Sequence, residues 1–305
     1  MPLVLAIPTF KCEQFLGATL ESLNAEGDRV RWWLQDGASP DRTVEIAREF
    51  ARAGDTIVTE PDSGQTDALN RAMSRMGGDI IGFINGDDCL VRGAATHVLD
   101  YFAAHPDVDL VCGSVEWIDA DGKITGSHAG RIDTLKDALD IYRVWWGEQQ
   151  WVQPEVFFRR SLWERVGGFD TAYHLAFDYD FWVRCFMAGA RVAHLPEPFA
   201  RFRLHSGQKS TASQAAADEI RTILEKHLTA RPSAINPLLR YRLRAELAYD
   251  RFAKTSTPGG RARPTFTSAL LSHPSWFLST QVRDRLLCSL RKHLPWLPRF
   301  RLRSE

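Results

Sequence analysis

The chain has 305 residues, of which 44% are hydrophobic and 25% are charged, and its formal net charge at pH 7 is zero. These proportions are typical of a folded globular protein and argue against wholesale disorder. The charges are unevenly divided, because residues 205–305 carry 18 Lys and Arg against 7 Asp and Glu. An acidic front part argues against a nucleic-acid binder whose whole surface is positive.

The cysteines and the N-terminal residues indicate in which cellular compartment the protein is expected. The five cysteines are odd in number, widely spaced and free of any Cys-x-x-Cys pair, so neither a disulfide framework nor a zinc site is indicated. No basic segment precedes an apolar run at the start, and no stretch approaches the ~18 apolar residues that span a membrane. The sequence predicts a cytoplasmic protein of a reducing compartment.

The first hundred residues alternate between two patterns. Short apolar runs predict strands, and apolar residues at helical spacing predict helices between them. The strands are expected at 3–7, 30–34, 56–59 and 80–84, and the helices at 15–23, 42–52, 66–76 and 93–104. Four such units in a row predict an α/β fold with a doubly wound, mainly parallel sheet flanked by helices.

After residue 109 the alternation loosens, and a helical appendage follows the sheet domain. The expected elements are a strand or bent pair at 111–118, a hairpin turn at 120–122, helices at 160–166, 178–188, 211–228 and 238–252, strands at 192–195 and 199–204, and a linker at 257–260. We therefore expect a sheet domain over residues 1–210 and a helical, basic appendage over residues 211–305.

Ligands bind such sheets at the carboxyl ends of the strands, so the polar loops there are the first place to seek chemistry. The loop Asn85-Gly86-Asp87-Asp88 directly follows an apolar strand. Two adjacent carboxylates suit Mg²⁺ or Mn²⁺ bridging a diphosphate. An Asp that caps the following helix is the alternative, and this loop alone leaves both open.

Seven segments occur here in the order found in glycosyltransferase family 2. They lie at 6–10, 35–43, 60–71, 85–88, 167–170, 178–182 and 203–210. Together they resemble that family over residues 3–210, which implies a GT-A type fold with a nucleotide-sugar-binding half over about 1–115 and an acceptor half over about 116–210. Two departures are Asn85, where many members have the first Asp of the DXD motif, and Phe177, where many have Glu or Asp.

The resemblance implies an inverting transferase that moves a sugar from a nucleoside diphosphate sugar to an acceptor hydroxyl, in assembly of a cell-surface glycan. A UDP-sugar is the family's commonest donor and is expected here. The implied donor-binding residues are Pro8, Thr9, Asp36, Asp62, Gln65, Asn70, Arg71, Asn85 and Asp87. Within this set, Asp36 is expected to meet the nucleoside base. Mn²⁺ or Mg²⁺ is expected on Asp88 and on His205, for which an ordinary loop histidine is the alternative.

An inverting transferase needs one carboxylate to take the proton of the acceptor hydroxyl. Asp178 stands at the family's position for that base, and the cation would neutralise charge on the departing phosphate. Asp180 is two residues further on, points to another face of a helix and is expected to be structural. The alternative is that both carboxylates merely open the helix, where negative charge complements the dipole.

Several other side chains keep two interpretations. Lys209 and Arg71 either contact donor phosphates or are solvated cations. The tryptophans at 145, 146 and 151 either stack on a sugar ring or belong to core or lid packing. Residues 275–305 combine aromatic side chains with clustered cations. This composition is typical of a segment that lies on an anionic membrane surface. Here the surface would be the inner face of the cell membrane, where a lipid-linked glycan acceptor is expected. A packed helix with a solvated basic face is the alternative.

The same residues bear on three other function classes. A sugar-1-phosphate nucleotidyltransferase would have a Gly-rich loop with Arg after the first strand, where this chain has Thr9-Phe10-Lys11-Cys12. A dinucleotide oxidoreductase is excluded because no Gly-x-Gly-x-x-Gly opens the first helix. A non-catalytic nucleotide-sugar-binding module of the same fold stays open, although the three retained carboxylates Asp87, Asp88 and Asp178 favour an enzyme. No nucleic acid is expected as a partner.

Overall fold

The computed structural model describes residues 1–208, 213–255, 274–279, 281–283 and 286. They form two compact units, one made of Met1–Ala138 and Glu148–Ile220, the other of Leu139–Gly147 and the described residues from Arg221 onward. Lys209, the linker expected at 257–260 and most of the segment 275–305 lie outside the described residues. The division into a donor half and an acceptor half stays a prediction.

The front of the first unit alternates strands and helices as the sequence predicts. Its elements are β1 (Leu3–Thr9), α1 (Leu16–Asn24), β2 (Val30–Asp36), α2 (Thr43–Phe50), β3 (Thr56–Thr59), α3 (Gln65–Arg75), β4 (Ile80–Phe83), β5 (Cys89–Leu90) and α4 (Ala94–Ala104). β1 lies between β2 and β4, β3 pairs with β2, and all three pairings are parallel. Every residue of β1 is buried, as expected for a central strand covered by helices on both faces.

The rest of the first unit completes a mixed sheet. Its elements are β6 (Leu110–Ile118), β7 (Ile124–His128), α5 (Leu135–Leu139), β8 (Val156–Arg159), α6 (Arg160–Val166), α7 (Phe177–Met187) and β9 (Val192–Arg203). The strand order is β3-β2-β1-β4-β8-β6-β9-β5, with β7 paired to β6 beyond this path. β8 runs antiparallel to both neighbours, whereas β6 and β9 are parallel. The mainly parallel sheet flanked by helices is therefore confirmed.

Two features of the first unit differ from the sequence prediction, and one is confirmed. The two strands expected at 192–195 and 199–204 are one strand, β9. Its prolines lack the N–H needed for regular pairing, and the register against β6 shifts beside Pro198. The short strands β5 and β8 were not predicted, because β5 has two residues and β8 runs directly into α6. The hairpin turn expected at 120–122 is confirmed between β6 and β7, where Gly122 has φ 83°.

Apolar contacts between the sheet and its helices form the core of the first unit. Leu16, Leu20 and Leu23 recur on one face of α1 and are fully buried against the strand residues Leu5 and Ile7. Truncating one such leucine to alanine would cost about 2–5 kcal/mol through lost burial and a new cavity. This packing holds the carboxyl ends of the strands in fixed positions.

The second unit contains a one-turn π-helix (Ile141–Trp145), helix α9 (Pro237–Thr255) and part of α8 (Ser213–Ala230). Its small apolar cluster comprises Ala245, Tyr249, Trp276 and Val282. Buried Glu246 accepts a hydrogen bond from the hydroxyl of Ser279 at 2.6 Å, so the carboxylate is not left without a partner. Among the described residues, none of the helices combines the length and the apolar character of a membrane span.

Candidate active site

The loops after β1 and β2 are joined through Asp36. This side chain is fully buried. Its Oδ1 accepts hydrogen bonds from the hydroxyls of Thr9 (3.1 Å) and Ser39 (2.5 Å), and its Oδ2 accepts the backbone N–H of Ser39 at 2.9 Å. Pro8, expected in the same donor-binding turn, lies in β1 opposite Gln35. Asp36 therefore fixes the shape of the turn expected to receive the base.

The loop after β3 brings Asp62 against the turn that follows β2. Oδ1 of Asp62 accepts the N–H of Gly64 at 2.8 Å, and burial raises the pKa of this carboxyl. A Cβ on Gly37 would lie 2.9 Å from Oδ2 of Asp62, closer than real Cβ contacts allow. The two loops thus approach each other because position 37 has no side chain.

Two expected donor-binding residues of α3 make extensive bonds inside the protein. Arg71 donates to both carboxylate oxygens of Asp67, at 3.0 and 2.8 Å, and to the carbonyl of Pro61 at 2.9 Å. Asn70 donates to the carbonyl of Phe169 (2.9 Å) and accepts its N–H (2.8 Å). Both side chains hold loops in place, and their contact with a donor stays a prediction.

The Asn85–Asp88 loop is held from two sides. Gln65 donates to Oδ1 of Asn85 at 2.8 Å, and Asn85 donates to Oδ2 of Asp88 at 3.2 Å. The backbone N–H of Arg203 donates to Oδ1 of Asp88 at 3.0 Å. Asp88 is 1% exposed, and burial followed by the charge of Asp87 raises the pKa of this carboxyl well above its ordinary value. Asp88 therefore lies beneath the loop, with both oxygens already bonded.

Asp87 and His205 form a pair of partly exposed side chains beside the Asn85–Asp88 loop. Nε2 of His205 lies 2.9 Å from Oδ2 of Asp87, and the side chains are 18% and 28% exposed, respectively. The ring of Phe15 packs 4.8 Å from the imidazole. His205 was expected to share a cation with Asp88, whereas its ring contacts the neighbouring carboxylate, Asp87.

The Asp87–His205 pair provides some of the ligands that a divalent cation needs, but not all of them. A carboxylate and an imidazole are both ligands that Mn²⁺ accepts. The described residues contain no group of three or more His, Cys, Asp or Glu side chains arranged to hold a metal. Mg²⁺ at phosphate sites commonly takes one or two protein carboxylates and completes its shell with phosphate and water oxygens, and a site with few protein ligands is of that kind.

Arg203 organises the edge and was not found from the sequence. Its Nε donates to the carbonyl of Asp87 at 2.9 Å, and its Nη1 donates to the carbonyls of Asp119 (3.0 Å) and Ala120 (3.1 Å). The guanidinium carbon also lies 4.8 Å from the ring of Phe15. The sequence gives one weak signal, since Arg203 opens the segment at 203–210, but nothing there distinguishes a buried arginine from a solvated one.

Aromatic packing brings the start of α7 to the carboxyl end of β4. The ring of Phe83, the last residue of β4, lies 5.9 Å from that of Phe177, the first residue of α7. Phe169 packs 5.0 Å from Phe177 and 5.5 Å from Phe83. Asp178 follows Phe177 directly, and Asn85 comes two residues after Phe83. The end of β4 and the start of α7, which adjoin the two acidic segments, are therefore packing neighbours.

Asp178 has the electrostatics of a general base. It is half-buried, and the N–H of Tyr179 donates to its Oδ1 at 2.8 Å. Burial raises its pKa from 3.8 to about 6, and the charge of Glu219 adds to this shift. Within the described part of the chain no cationic side chain pairs with it. At neutral pH this carboxylate is ionised. Its affinity for a proton is higher than that of an exposed Asp.

Asp180 behaves differently, as its position on the helix predicts. It is fully buried and forms a 2.7 Å ion pair with Arg184, one turn further along α7. Arg184 also donates to the carbonyls of Gly167 and Gly168, each at 2.8 Å. Asp180 therefore holds an arginine that fixes the Gly-Gly turn after α6.

Two of the three tryptophans expected near a sugar, Trp146 and Trp151, lie in different surroundings. Trp151 is 3% exposed and packs with Trp182 at 5.7 Å and His194 at 5.8 Å, so it belongs to the core. Trp146, in the second unit, is 44% exposed and stacks on Tyr142 at 5.3 Å. Of the two, Trp146 alone presents a ring to solvent.

Curated proteins of related sequence include glycosyltransferases of glycoconjugate assembly. Among the curated relatives is a PGL/p-HBAD biosynthesis glycosyltransferase of Mycobacterium bovis, 29% identical over 192 residues that make up 61% of this chain and 70% of the relative. The O-antigen biosynthesis protein RfbC of Myxococcus xanthus is 25% identical over 209 residues, 67% of this chain and 16% of its own length.

Solved structures share the fold. The chain TarS 1–349 of S. aureus, in complex with UDP-GlcNAc, superposes with a TM-score of 0.63 at 15% identity, covering 90% of this chain and 78% of that one. The mannosyltransferase PcManGT of Pyrobaculum calidifontis, in complex with GDP-Man and Mn²⁺, gives a TM-score of 0.53 at 19% identity, covering 95% and 86%. At these identities the likeness establishes the GT-A fold alone.

The family model described as glycosyl transferase family 2 matches residues 4–167, more than half of the chain. This stretch contains β1 to β4 and all the loops at their carboxyl ends. The match includes the Asn85–Asp88 loop and ends at Gly167, before Asp178 and His205. The chain therefore belongs to glycosyltransferase family 2.

Proposed function

We propose that the protein is an inverting glycosyltransferase that moves a sugar from a nucleoside diphosphate sugar to an acceptor hydroxyl. One observation carries the proposal: Phe177, which precedes Asp178, packs on Phe83, which lies two residues before the Asn85–Asp88 loop. A base and a diphosphate-binding loop are the two parts that a single displacement at the anomeric carbon requires. Membership of the family supports the same reaction class.

The proposed reaction is one displacement. Asp178 takes the proton of the acceptor hydroxyl as that oxygen bonds to the anomeric carbon, and the bond from this carbon to the diphosphate breaks. The electron pair of the broken bond leaves with the nucleoside diphosphate, and the proton stays on Asp178. With a pKa of about 6, this carboxylate is ionised at pH 7 and is a stronger base than an ordinary Asp.

We assign the cation to Asp87 and His205. Their side chains lie 2.9 Å apart and are partly exposed, whereas both oxygens of Asp88 already accept hydrogen bonds from Arg203 and Asn85. Asp88 then acts by holding the loop rather than as the primary ligand. When bound, Mn²⁺ or Mg²⁺ would stabilise negative charge on the departing diphosphate as a Lewis acid.

The donor is proposed to lie along the loops after β1, β2 and β3. Thr9, Asp36 and Asp62 line adjoining turns there. We take a UDP-sugar as the default donor, and the two structural neighbours hold UDP-GlcNAc and GDP-Man, both nucleoside diphosphate sugars. These two differ in base and sugar, so the panel for a test has to include several nucleotides.

The acceptor is proposed to be a glycan or a lipid-linked glycan on the inner face of the cell membrane. Relatives named for PGL/p-HBAD biosynthesis and for O-antigen biosynthesis support a role in glycoconjugate assembly. Peripheral association through the cationic and aromatic segment 275–305 would bring the enzyme to such acceptors. Membrane association is tested by sedimentation with vesicles of anionic or zwitterionic lipid.

The function is tested by incubating the protein with UDP-, GDP- and dTDP-sugars and Mn²⁺, with and without chelator, and measuring nucleoside diphosphate release and transfer to an acceptor glycan. Asp178→Asn is compared with Asp107→Asn, which changes an exposed carboxylate paired with Arg191. We expect release by the wild type and by Asp107→Asn alone. Donor binding without release in every sample would indicate a binding module instead of an enzyme.

A further inference from the structure

Three consecutive backbone N–H groups converge on one carboxylate of α8. Oε2 of Glu219 accepts the N–H groups of Leu175 (2.8 Å), Ala176 (2.9 Å) and His174 (3.2 Å), and Oε1 accepts that of His174 at 3.1 Å. All four residues belong to the first compact unit. A single side chain thus binds the whole stretch of backbone that leads into α7.

This stretch needs an acceptor from elsewhere in the chain. The N–H groups at the start of a helix have no partner within the helix, and a side-chain oxygen of the N-cap residue usually accepts one of them. The N-cap of α7 is Ala176, which has no such oxygen. Glu219, 43 residues further along the chain, accepts the N–H of this N-cap residue and the two N–H groups before it, and its negative charge suits the positive end of the helix dipole.

The backbone held in this way presents Asp178. The carboxyl of Asp178 is only two residues beyond Ala176, and its own bonds are to backbone N–H groups of Tyr179 and of Asp178 itself. The neighbouring rings of Phe83 and Phe177 are uncharged. Among the described residues, Glu219 is the charged side chain that acts on Asp178.

We propose that Glu219 is a positioning residue, which fixes the start of α7 and thereby sets where Asp178 meets the acceptor hydroxyl. The inference rests on the proposed role of Asp178 as the base. It extends the machinery of the enzyme beyond the residues matched by the family model, which end at 167, into the first turns of α8. The helix that follows the sheet domain would then be required for turnover.

The charge of Glu219 gives this role a signature that a purely structural contact lacks. A negative neighbour disfavours ionisation of Asp178, so removing the charge while keeping an oxygen lowers the pH at which the base loses its proton. Glu219→Gln is the variant that does this. The matched control is Asp218→Asn, which removes the same charge from the adjacent, exposed residue, bonded to Gln214 at 3.1 and 3.2 Å.

The experiment records transfer from the active donor between pH 4.5 and 8.5 for the wild type, Glu219→Gln, Glu219→Ala and Asp218→Asn. For Glu219→Gln we expect the acidic limb of kcat/KM to move down by roughly 0.3–1 pH unit. For Glu219→Ala we expect kcat to fall at least about 10-fold, with the KM for donor changed less than about twofold, because a displaced base affects chemistry more than binding. Asp218→Asn should match the wild type.

Hydrogen exchange of the backbone at 174–176 supplies a second measurement that needs no activity. Both Glu219 variants should exchange faster there than Asp218→Asn, even if Glu219→Ala folds poorly. Wild-type kcat and an unmoved acidic limb in a folded Glu219→Ala protein would overturn the inference, and so would unchanged exchange in both variants. Absence of transfer from every donor in the wild type would instead defeat the proposed function, and exchange would still decide whether Glu219 holds this backbone.

Discussion

Nε2 of His205 lies 2.9 Å from Oδ2 of Asp87, although 118 residues separate them in the chain. Asp87 follows β4 and His205 follows β9, and two strands, β8 and β6, lie between β4 and β9 in the sheet. The short strand β5, which follows Asp88, bridges this distance by pairing with the end of β9. Arg203 adds bonds from its backbone N–H and Nε to the Asp88 carboxylate and the Asp87 carbonyl. This connection fixes the two side chains that we assign to the cation.

The first prediction concerns that assignment. His205→Ala should raise the Mn²⁺ concentration needed for half-maximal transfer by at least about 10-fold, because one protein ligand is lost. The control is His97→Ala, which removes an exposed imidazole on α4. Titration of activity with Mn²⁺ after removal of bound metal measures the effect. An unchanged Mn²⁺ requirement in His205→Ala would leave His205 as an ordinary loop residue.

The second prediction concerns Arg203. Arg203→Lys should lower the free energy of unfolding by at least about 2 kcal/mol, because lysine cannot reproduce the fork of the buried guanidinium that bonds to the carbonyls of Asp87, Asp119 and Ala120. Urea unfolding measures the change. Arg201→Lys is the matched control on the same strand, since Arg201 is 41% exposed and bonds only to Glu116 among the described residues. Equal losses in the two variants would contradict the argument.

The sequence predicted the front of the fold well because its signals are local. β1 is a continuous apolar run and α1 repeats Leu16, Leu20 and Leu23 at helical spacing, so both elements follow from neighbouring residues. The loop at Asn85–Asp88 could be placed at a strand end for the same reason. β9 could not be predicted as one strand, because its two prolines normally end a strand and the compensating bulge depends on β6.

Pairing between distant side chains was beyond the sequence. Nothing local to Asp88 shows that its oxygens bond to Asn85 and Arg203, so the exposed partner of His205 could be either carboxylate of the loop. Glu219 gave no signal at all, because a single Glu in an Ala-rich helix is usually solvated. Both relationships depend on long-range packing, which composition and spacing do not encode.

The third prediction concerns the stability of the protein without Asp178. The folded pKa of about 6 exceeds the ordinary 3.8, so the folded state binds this proton more tightly, and stability falls as pH rises from about 4 to about 6. Asp178→Asn removes the titratable carboxyl, so the variant does not lose stability in this way as the pH rises. Two pH units correspond to about 3 kcal/mol at most, so the variant should gain up to that amount over the wild type between pH 4 and pH 7.5.

Urea unfolding of both proteins at pH 4, 5, 6 and 7.5 measures this difference, while transfer by Asp178→Asn at pH 7.5 should fall at least about 100-fold. Asp107→Asn serves as control, since its exposed carboxylate has its pKa lowered by hydrogen bonding rather than raised. If Asp178→Asn is inactive and also more stable than the wild type at neutral pH, the Asp178 carboxylate is needed for transfer and lowers the free energy of unfolding. A difference in stability that stays constant with pH would show that Asp178 has an ordinary pKa.

The fourth prediction is the pH dependence of transfer itself. The base must be ionised to accept a proton, so kcat/KM of the wild type should fall about 10-fold per pH unit below about pH 6, where Asp178 becomes protonated. Asp88, whose pKa is also raised, would give a limb sensitive to the concentration of Mn²⁺, because a cation beside it favours its ionised form. Profiles recorded at one limiting and one saturating Mn²⁺ concentration separate the two groups. If the limb near pH 6 does not change with Mn²⁺ and is absent from the residual activity of Asp178→Asn, it belongs to Asp178. If the limb is retained in that variant, another residue accepts the proton of the acceptor hydroxyl.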